Sequence, residues 1–215
     1  TVMLPRMTSL NKEGKLEEAR KLFLLSIELI IVVAVAMACG ISAISKEFTP
    51  FFFGKGYDEC IRLIIALSPV LVIKGLSEIA RMQYLIPNHK EKIFIESVFC
   101  GAGVNFVVNW FLISRLGALG AVIGTLVAEL VSCVWQYIKM NKYISCLTTI
   151  FKSMIYVVFG VIMFTIVRVV ALCFNGGIVA LFFEVLAGII TYAVICLIYW
   201  KVTKNKIVGL VIKKK

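Results

Sequence analysis

A chain of 215 residues that is 61% hydrophobic, with a mean hydropathy of +0.99, is too apolar for a water-soluble fold, where apolar residues make up about half of the total. The net charge of +11 does not point to nucleic acid: the cations flank apolar stretches or sit in the terminal run Lys213-Lys214-Lys215, and no basic stripe interleaves with aromatics. Anionic membrane headgroups explain that placement, at about 1 kcal/mol per juxtamembrane cation, so an all-α, polytopic transmembrane bundle is expected.

Residues 1–5 (Thr-Val-Met-Leu-Pro) read as the last turn of a preceding apolar helix, so the chain is expected to continue a longer bundle. Ser9-Leu10-Asn11-Lys12-Glu13 resembles a helix cap, and Leu16, Ala19, Leu22 and Phe23 recur at helical spacing among Glu17, Glu18, Arg20 and Lys21; residues 1–21 are expected to lie along the cytoplasmic surface as an amphipathic segment. Six apolar stretches follow, Leu22–Ser45, Ile61–Ile86, Ile93–Ile113, Gly117–Ile138, Met154–Phe174 and Ile178–Trp200. Each reaches the roughly 20 residues that a helix needs to cross the hydrocarbon core.

Between the first two spans, Phe48 to Tyr57 gathers aromatics around Pro50, Gly54 and Gly56, which are expected to break the helix while the rings sit at the membrane–water interface. Ser68-Pro69 removes one backbone hydrogen bond from the second span and predicts a kink. The fourth span opens with Gly120 and Gly124 four residues apart, which leaves a flat face for a close helix neighbour; the competing reading is the general abundance of Gly in membrane helices. Asn175-Gly176-Gly177 joins the last two spans as a tight antiparallel hairpin. The expected organisation is a four-span core over 22–142, a terminal hairpin over 143–200 and a basic tail over 201–215.

Lys and Arg alternate along the loops. The segments before the first span, between the second and third, between the fourth and fifth, and after the sixth hold nearly all of them; the other set carries only Lys46, Lys55, Arg62 and Arg115, with Lys74 and Arg168 inside spans. The positive-inside rule then places both ends of this chain in the cytoplasm.

Ionisable side chains inside spans cost about 2.5–3.5 kcal/mol or more on insertion, so each is expected to face protein or water. They concentrate in the second span, where Lys74, Glu78 and Arg81 stand at i, i+4 and i+7 on one face, with Arg62 three turns earlier. Three readings compete for this cluster: a local Lys74–Glu78 pair with Arg81 reaching the interface, a cationic lining for an anionic substrate tuned by Glu78, or a proton or sodium relay through Glu78. Asn105 and Asn109 share a face of the third span and read either as interhelical hydrogen-bond partners or as substrate ligands. Glu28, Glu129, Arg168 and Glu184 stand isolated.

Seven scattered cysteines lack CxxC spacing, and the single His89 has no ligand-type partners nearby, so neither a disulfide framework nor a metal site is expected. Asp58 is the lone aspartate, and no nucleophile–base constellation, P-loop or HExxH pattern is present; the expectation is a non-enzyme without a cofactor.

Val2 to Ser9, Phe52-Phe-Gly-Lys-Gly-Tyr57, Gly103-Val-Asn-Phe-Val-Val-Asn109 and Arg115 to Glu129 occur in an order and spacing that resembles the Wzx-type polysaccharide flippases of the multidrug/oligosaccharidyl-lipid/polysaccharide exporter superfamily. The resemblance covers Val2 to about Lys142. It implies two helical lobes flanking an alternating-access cavity, with this chain as most of the second lobe. The implied substrate is an undecaprenyl-diphosphate-linked oligosaccharide, and the implied setting is the cytoplasmic membrane among polysaccharide polymerase and other assembly proteins. Under it, Arg62, Lys74 and Arg81 are candidates for contact with phosphate or acidic sugars, with Glu78, Asn105 and Asn109 lining the same cavity. A peptidoglycan lipid-precursor flippase and a multidrug exporter are the alternatives within the superfamily; a membrane glycosyl- or acyltransferase fragment is the alternative outside it.

Overall fold

The computed structural model describes residues 3–174 and 177–203; the Asn175-Gly176 part of the expected last turn and the tail beyond 203 lie outside the described residues. The described residues include α1 (Met3–Lys12), α2 (Leu16–Phe52), α3 (Asp58–Leu67), α4 (Val70–Ile79), a π-helical turn (Ala80–Leu85), α5 (Glu91–Leu116), α6 (Ala118–Asn141), α7 (Leu147–Ser153), α8 (Ile155–Ala171) and α9 (Ile178–Thr203). Six helical stretches among them are long and apolar enough to cross a membrane, and they fall on the six stretches read from sequence. The described residues form helices and no strand, and the protein is multi-pass. Contacts divide it into two units, one of residues 3–34 with 69–153, the other of 35–68 with 154–174 and 177–203.

In the first unit, α1 and α2 are separated by a turn in which Gly14 adopts φ 71° and Lys15 pairs with Glu13 at 2.7 Å. Ser9 does not cap a helix, as its sequence context had implied. It lies inside α1 and donates to Glu13 Oε1 at 2.8 Å. The first half of α2 buries Ala19, Phe23, Ile27 and Ile31, a four-residue rhythm that keeps one face inward, while Leu16, Leu29 and Val33 point out. Gly75 lets α4 approach that helix: a Cβ there would stand 2.7 Å from Ile30 Cγ1.

Pro69 interrupts the second span as expected, since α3 ends at Leu67 and α4 starts at Val70. The π turn was not foreseen. It is closed by Ile86 N–H donating to the Arg81 carbonyl at 3.0 Å, five residues back, and it buries Ala80, Gln83 and Leu85, a spacing that a regular α-helix does not bring to one face. The following loop is pinned by Asn88 Nδ2 donating to the Tyr84 carbonyl (2.7 Å) and Asn11 Nδ2 to the Pro87 carbonyl (3.3 Å). Lys90 Nζ sits 3.0 Å from the centroid of the Tyr143 ring, and burial lowers its pKa from the usual lysine value.

α5 and α6 form an antiparallel pair joined at Gly117, whose φ 57° and ψ −130° suit a residue without a Cβ. The Gly120/Gly124 face is used as a close approach. A Cβ on Gly120 would overlap the Leu112 backbone carbonyl, and one on Gly124 would overlap Asn109 Oδ1. The outward face of α5 carries Phe99, Phe106, Trp110 and Phe111, all strongly exposed, as suits a helix whose surroundings are hydrocarbon.

In the second unit, α2 continues through Pro50 to Phe52, so Pro50 does not end it. One backbone bond is lost, but Phe53 N–H still reaches the Thr49 carbonyl at 2.9 Å, and the chain turns only at Gly54 and Gly56. Phe48, Phe52, Phe53 and Tyr57 then form a run of ring contacts with centroids 5.0–6.0 Å apart. α8 and α9 run antiparallel. α9 buries Ala180, Glu184, Gly188, Tyr192, Cys196 and Trp200, every fourth residue, and Trp200 Nε1 donates to Tyr156 Oη at 2.9 Å near its C-terminal end while Gly188 meets Val167 near its middle. Gly160 lets α8 close onto α2, where a Cβ would stand 2.7 Å from both Cys39 Sγ and Val35 Cγ1.

Candidate functional site

A cavity of about 550 Å³ opens in the first unit among α4, the π turn, α5 and α6. Its walls follow from three sequence patterns. On α4 and the π turn, Lys74, Ser77, Glu78 and Arg81 occupy one helical face. On α5, Phe94, Val98, Gly101, Ala102 and Asn105 follow the same helical rhythm, with small residues at its centre. On α6, Thr125, Glu129, Ser132 and Gln136 draw a polar stripe through an otherwise apolar helix.

The small residues make room for the polar ones. Gly101 has no side chain where Ser132 Oγ and the Ala128 carbonyl approach, so Ser132 can donate to the Ser97 carbonyl across the helix pair at 2.9 Å. Ser97 Oγ spends its single proton on the Phe94 carbonyl (2.7 Å) and therefore accepts from Gln136 Nε2 (2.9 Å). That orients the buried Gln136 amide, whose Oε1 has no partner among the described residues. Tyr137 Oη donates to the Leu76 carbonyl at 3.1 Å and ties α6 to α4 beside the cavity.

Each cation in the cavity is paired. Lys74 Nζ lies 2.5 Å from Glu129 Oε1, with the lysine side chain 60% exposed and the glutamate 23%. Arg81 grips Glu78 with both Nη2 (2.6 and 2.8 Å) and Nε (3.1 Å), and its guanidinium lies 5.3 Å from the centroid of the Phe94 ring. The local Lys74–Glu78 pair considered from sequence is therefore not the one formed. Helix spacing permits it, but Glu129 on the facing helix takes Lys74, and Glu78 is taken by Arg81 three residues along.

Of the sequence candidates, Lys74, Glu78, Arg81 and Asn105 come together here. Asn109 stays within its own helix, donating Nδ2 to Asn105 Oδ1 at 2.9 Å, and its Oδ1 fills the space left by Gly124. Arg62 is exposed on α3 in the second unit. Thr125, Glu129, Ser132 and Gln136 were not singled out as a group, although their i, i+4, i+7 and i+11 spacing is a readable polar stripe.

The second unit has its own charged group. Arg168 Nη1 donates to Glu47 Oε2 at 2.8 Å and to the Ala43 carbonyl at 3.0 Å, so neither Arg168 nor Glu129 is isolated as the sequence had implied. Glu184 is fully buried beside an apolar cavity of about 440 Å³ whose walls include Met37, Ile41, Val167 and Ile189, and its carboxyl oxygens have no hydrogen-bond partner among the described residues.

No protein-family model matches this sequence, and no curated protein matches it. The fold is similar to that of a solved structure, the lipid II flippase MurJ in its inward closed conformation, with a TM-score of 0.76 at 13% sequence identity. The likeness covers 94% of this chain and 43% of the solved one, so the chain spans less than half of that transporter's length. Over that part, the arrangement of helices in this chain is like that of the solved transporter.

Proposed function

We propose that the chain is the second lobe of a flippase of the multidrug/oligosaccharidyl-lipid/polysaccharide exporter superfamily, and that it moves an undecaprenyl-diphosphate-linked oligosaccharide across the cytoplasmic membrane by alternating access. The observation that carries this reading is a cavity lined by Lys74, Glu78, Arg81, Asn105 and Glu129 among helices apolar enough to span a bilayer, in a fold like that of a solved lipid-precursor flippase. Polar groups at membrane depth are retained where they line a path for a polar cargo. The cavity would replace headgroup hydration while the lipid tail remains in the bilayer, and no bond of the substrate is made or broken. Both chain ends lie in the cytoplasm in this reading, given the loop charges, and a polysaccharide polymerase acts on the delivered product.

Supplying the full-length protein to bacteria that lack their own polysaccharide flippase tests this directly. Surface polysaccharide returns if the reading holds, and precursor accumulating inside the cell at normal protein level contradicts it. A peptidoglycan-precursor flippase is the second reading, favoured by what the solved neighbour carries. Rescue of cells depleted of that activity, without restored surface polysaccharide, would select it.

A further inference from the structure

We propose that the cavity among α4, α5 and α6 receives an uncharged, hydroxyl-rich sugar ring of the lipid-linked glycan and not its diphosphate; this rests on the flippase reading above. Four ionisable groups line the cavity, two of each sign, and each cation already lies within hydrogen-bond distance of a carboxylate. A phosphate or acidic sugar approaching Lys74 must displace Glu129 or sit against its charge, and the same holds for Arg81 and Glu78. Like charges brought together in a partly desolvated site are strongly disfavoured.

A sugar hydroxyl meets no such conflict. It donates to a carboxylate and accepts from an ammonium or guanidinium, so adjacent hydroxyls on one ring can bridge an ion pair without breaking it. Asn105, whose Oδ1 already accepts from Asn109, offers its amide N–H donors on the α5 wall, and Phe94 supplies the apolar ring against which the C–H face of a sugar packs. The volume of about 550 Å³ falls in the range of about 300–1,000 Å³ typical of small-ligand sites. The two ion pairs thus act as a charge filter, and the carboxylates Glu78 and Glu129 determine specificity.

The test uses two bacterial hosts that depend on the full-length protein for export, one assembling a lipid-linked glycan of neutral sugars only, the other the same glycan with a uronic acid. The readout is the ratio of neutral to acidic glycan at the cell surface at matched protein level in the membrane. The wild-type protein is expected to favour the neutral glycan, and Glu78→Gln or Glu129→Gln, each of which uncovers a cation, to lower that ratio by about tenfold. Exchanging the partners in Lys74→Glu/Glu129→Lys, which keeps the cavity neutral, restores it. The two pairs are separate and Glu78 is 54% exposed, so Glu78→Gln is the variant expected to leave folding least disturbed, which its level in the membrane checks. Equal export of both glycans, a wild-type preference for the acidic one, or Gln variants with an unchanged ratio overturns the charge filter while leaving the flippase reading standing. Export of neither glycan by wild-type protein overturns both.

Discussion

The two units solve the problem of charge inside apolar helices in opposite ways. In the first, Lys74 pairs with Glu129 on the facing helix and Arg81 with Glu78 three residues away, and each pair keeps one well-exposed member, Lys74 at 60% and Glu78 at 54%, beside a partner at 23% and 28%. In the second, Arg168 and Glu47 pair at 29% and 13% exposure, with Arg168 also bonded to the Ala43 carbonyl, and Glu184 is closed off entirely. The same residue types therefore do different work. An accessible ion pair contributes little to stability and is free to meet a ligand, whereas an enclosed one holds helices together because removing either partner strands the other.

That contrast predicts where substitution damages the fold. Arg168→Met should be the most severe change, destabilising the protein by about 2–4 kcal/mol because Glu47 is left unpaired, with most of the loss recovered in Arg168→Met/Glu47→Leu. Thermal unfolding in detergent reads both, and additive losses in the double variant would break the comparison. Gly120→Ala comes next, at about 1–3 kcal/mol, since its Cβ meets the Leu112 backbone, which has little room to move. Gly103→Ala on the partner helix has nothing within 4 Å and should instead be neutral or stabilise by about 0.5–1 kcal/mol through helix propensity. Lys74→Gln should change stability by less than about 1 kcal/mol while lowering export, which separates an accessible pair from an enclosed one. A small effect of the same order is expected for Tyr143→Leu, about 0.5–1 kcal/mol in the same unfolding measurement, from loss of the Lys90 contact with its ring.

What was readable from sequence was set by local periodicity and backbone chemistry. Hydrophobic run length located the spans, Pro69 located the break, Gly120 and Gly124 marked the close helix pair, and the shared face of Lys74, Glu78 and Arg81 located one wall of the cavity. Pro50 misled because a proline close to a helix end costs one hydrogen bond that the neighbouring turn absorbs. The partners of the charges were illegible for a different reason. Lys74 finds Glu129 on a facing helix and Arg168 finds Glu47 at a sequence separation of 121, and no spacing rule within one helix reports such pairs. The π turn depends on which side chains the neighbouring helices bury, and so was equally hidden. The polar stripe from Thr125 to Gln136 was available in the sequence, but it becomes informative only alongside the Gly101 gap on α5 that receives Ser132.

The central claim is that α5 turns one face to a water-filled cavity and the other to hydrocarbon, and neighbouring residues Asn105 and Phe106 fall on the two sides. With the seven native cysteines replaced, Asn105→Cys and Phe106→Cys can be compared in intact membranes by their rate of reaction with a charged, water-soluble thiol reagent. The structure predicts rapid labelling at 105 and little at 106. Equal rates, or faster labelling at 106, would contradict it.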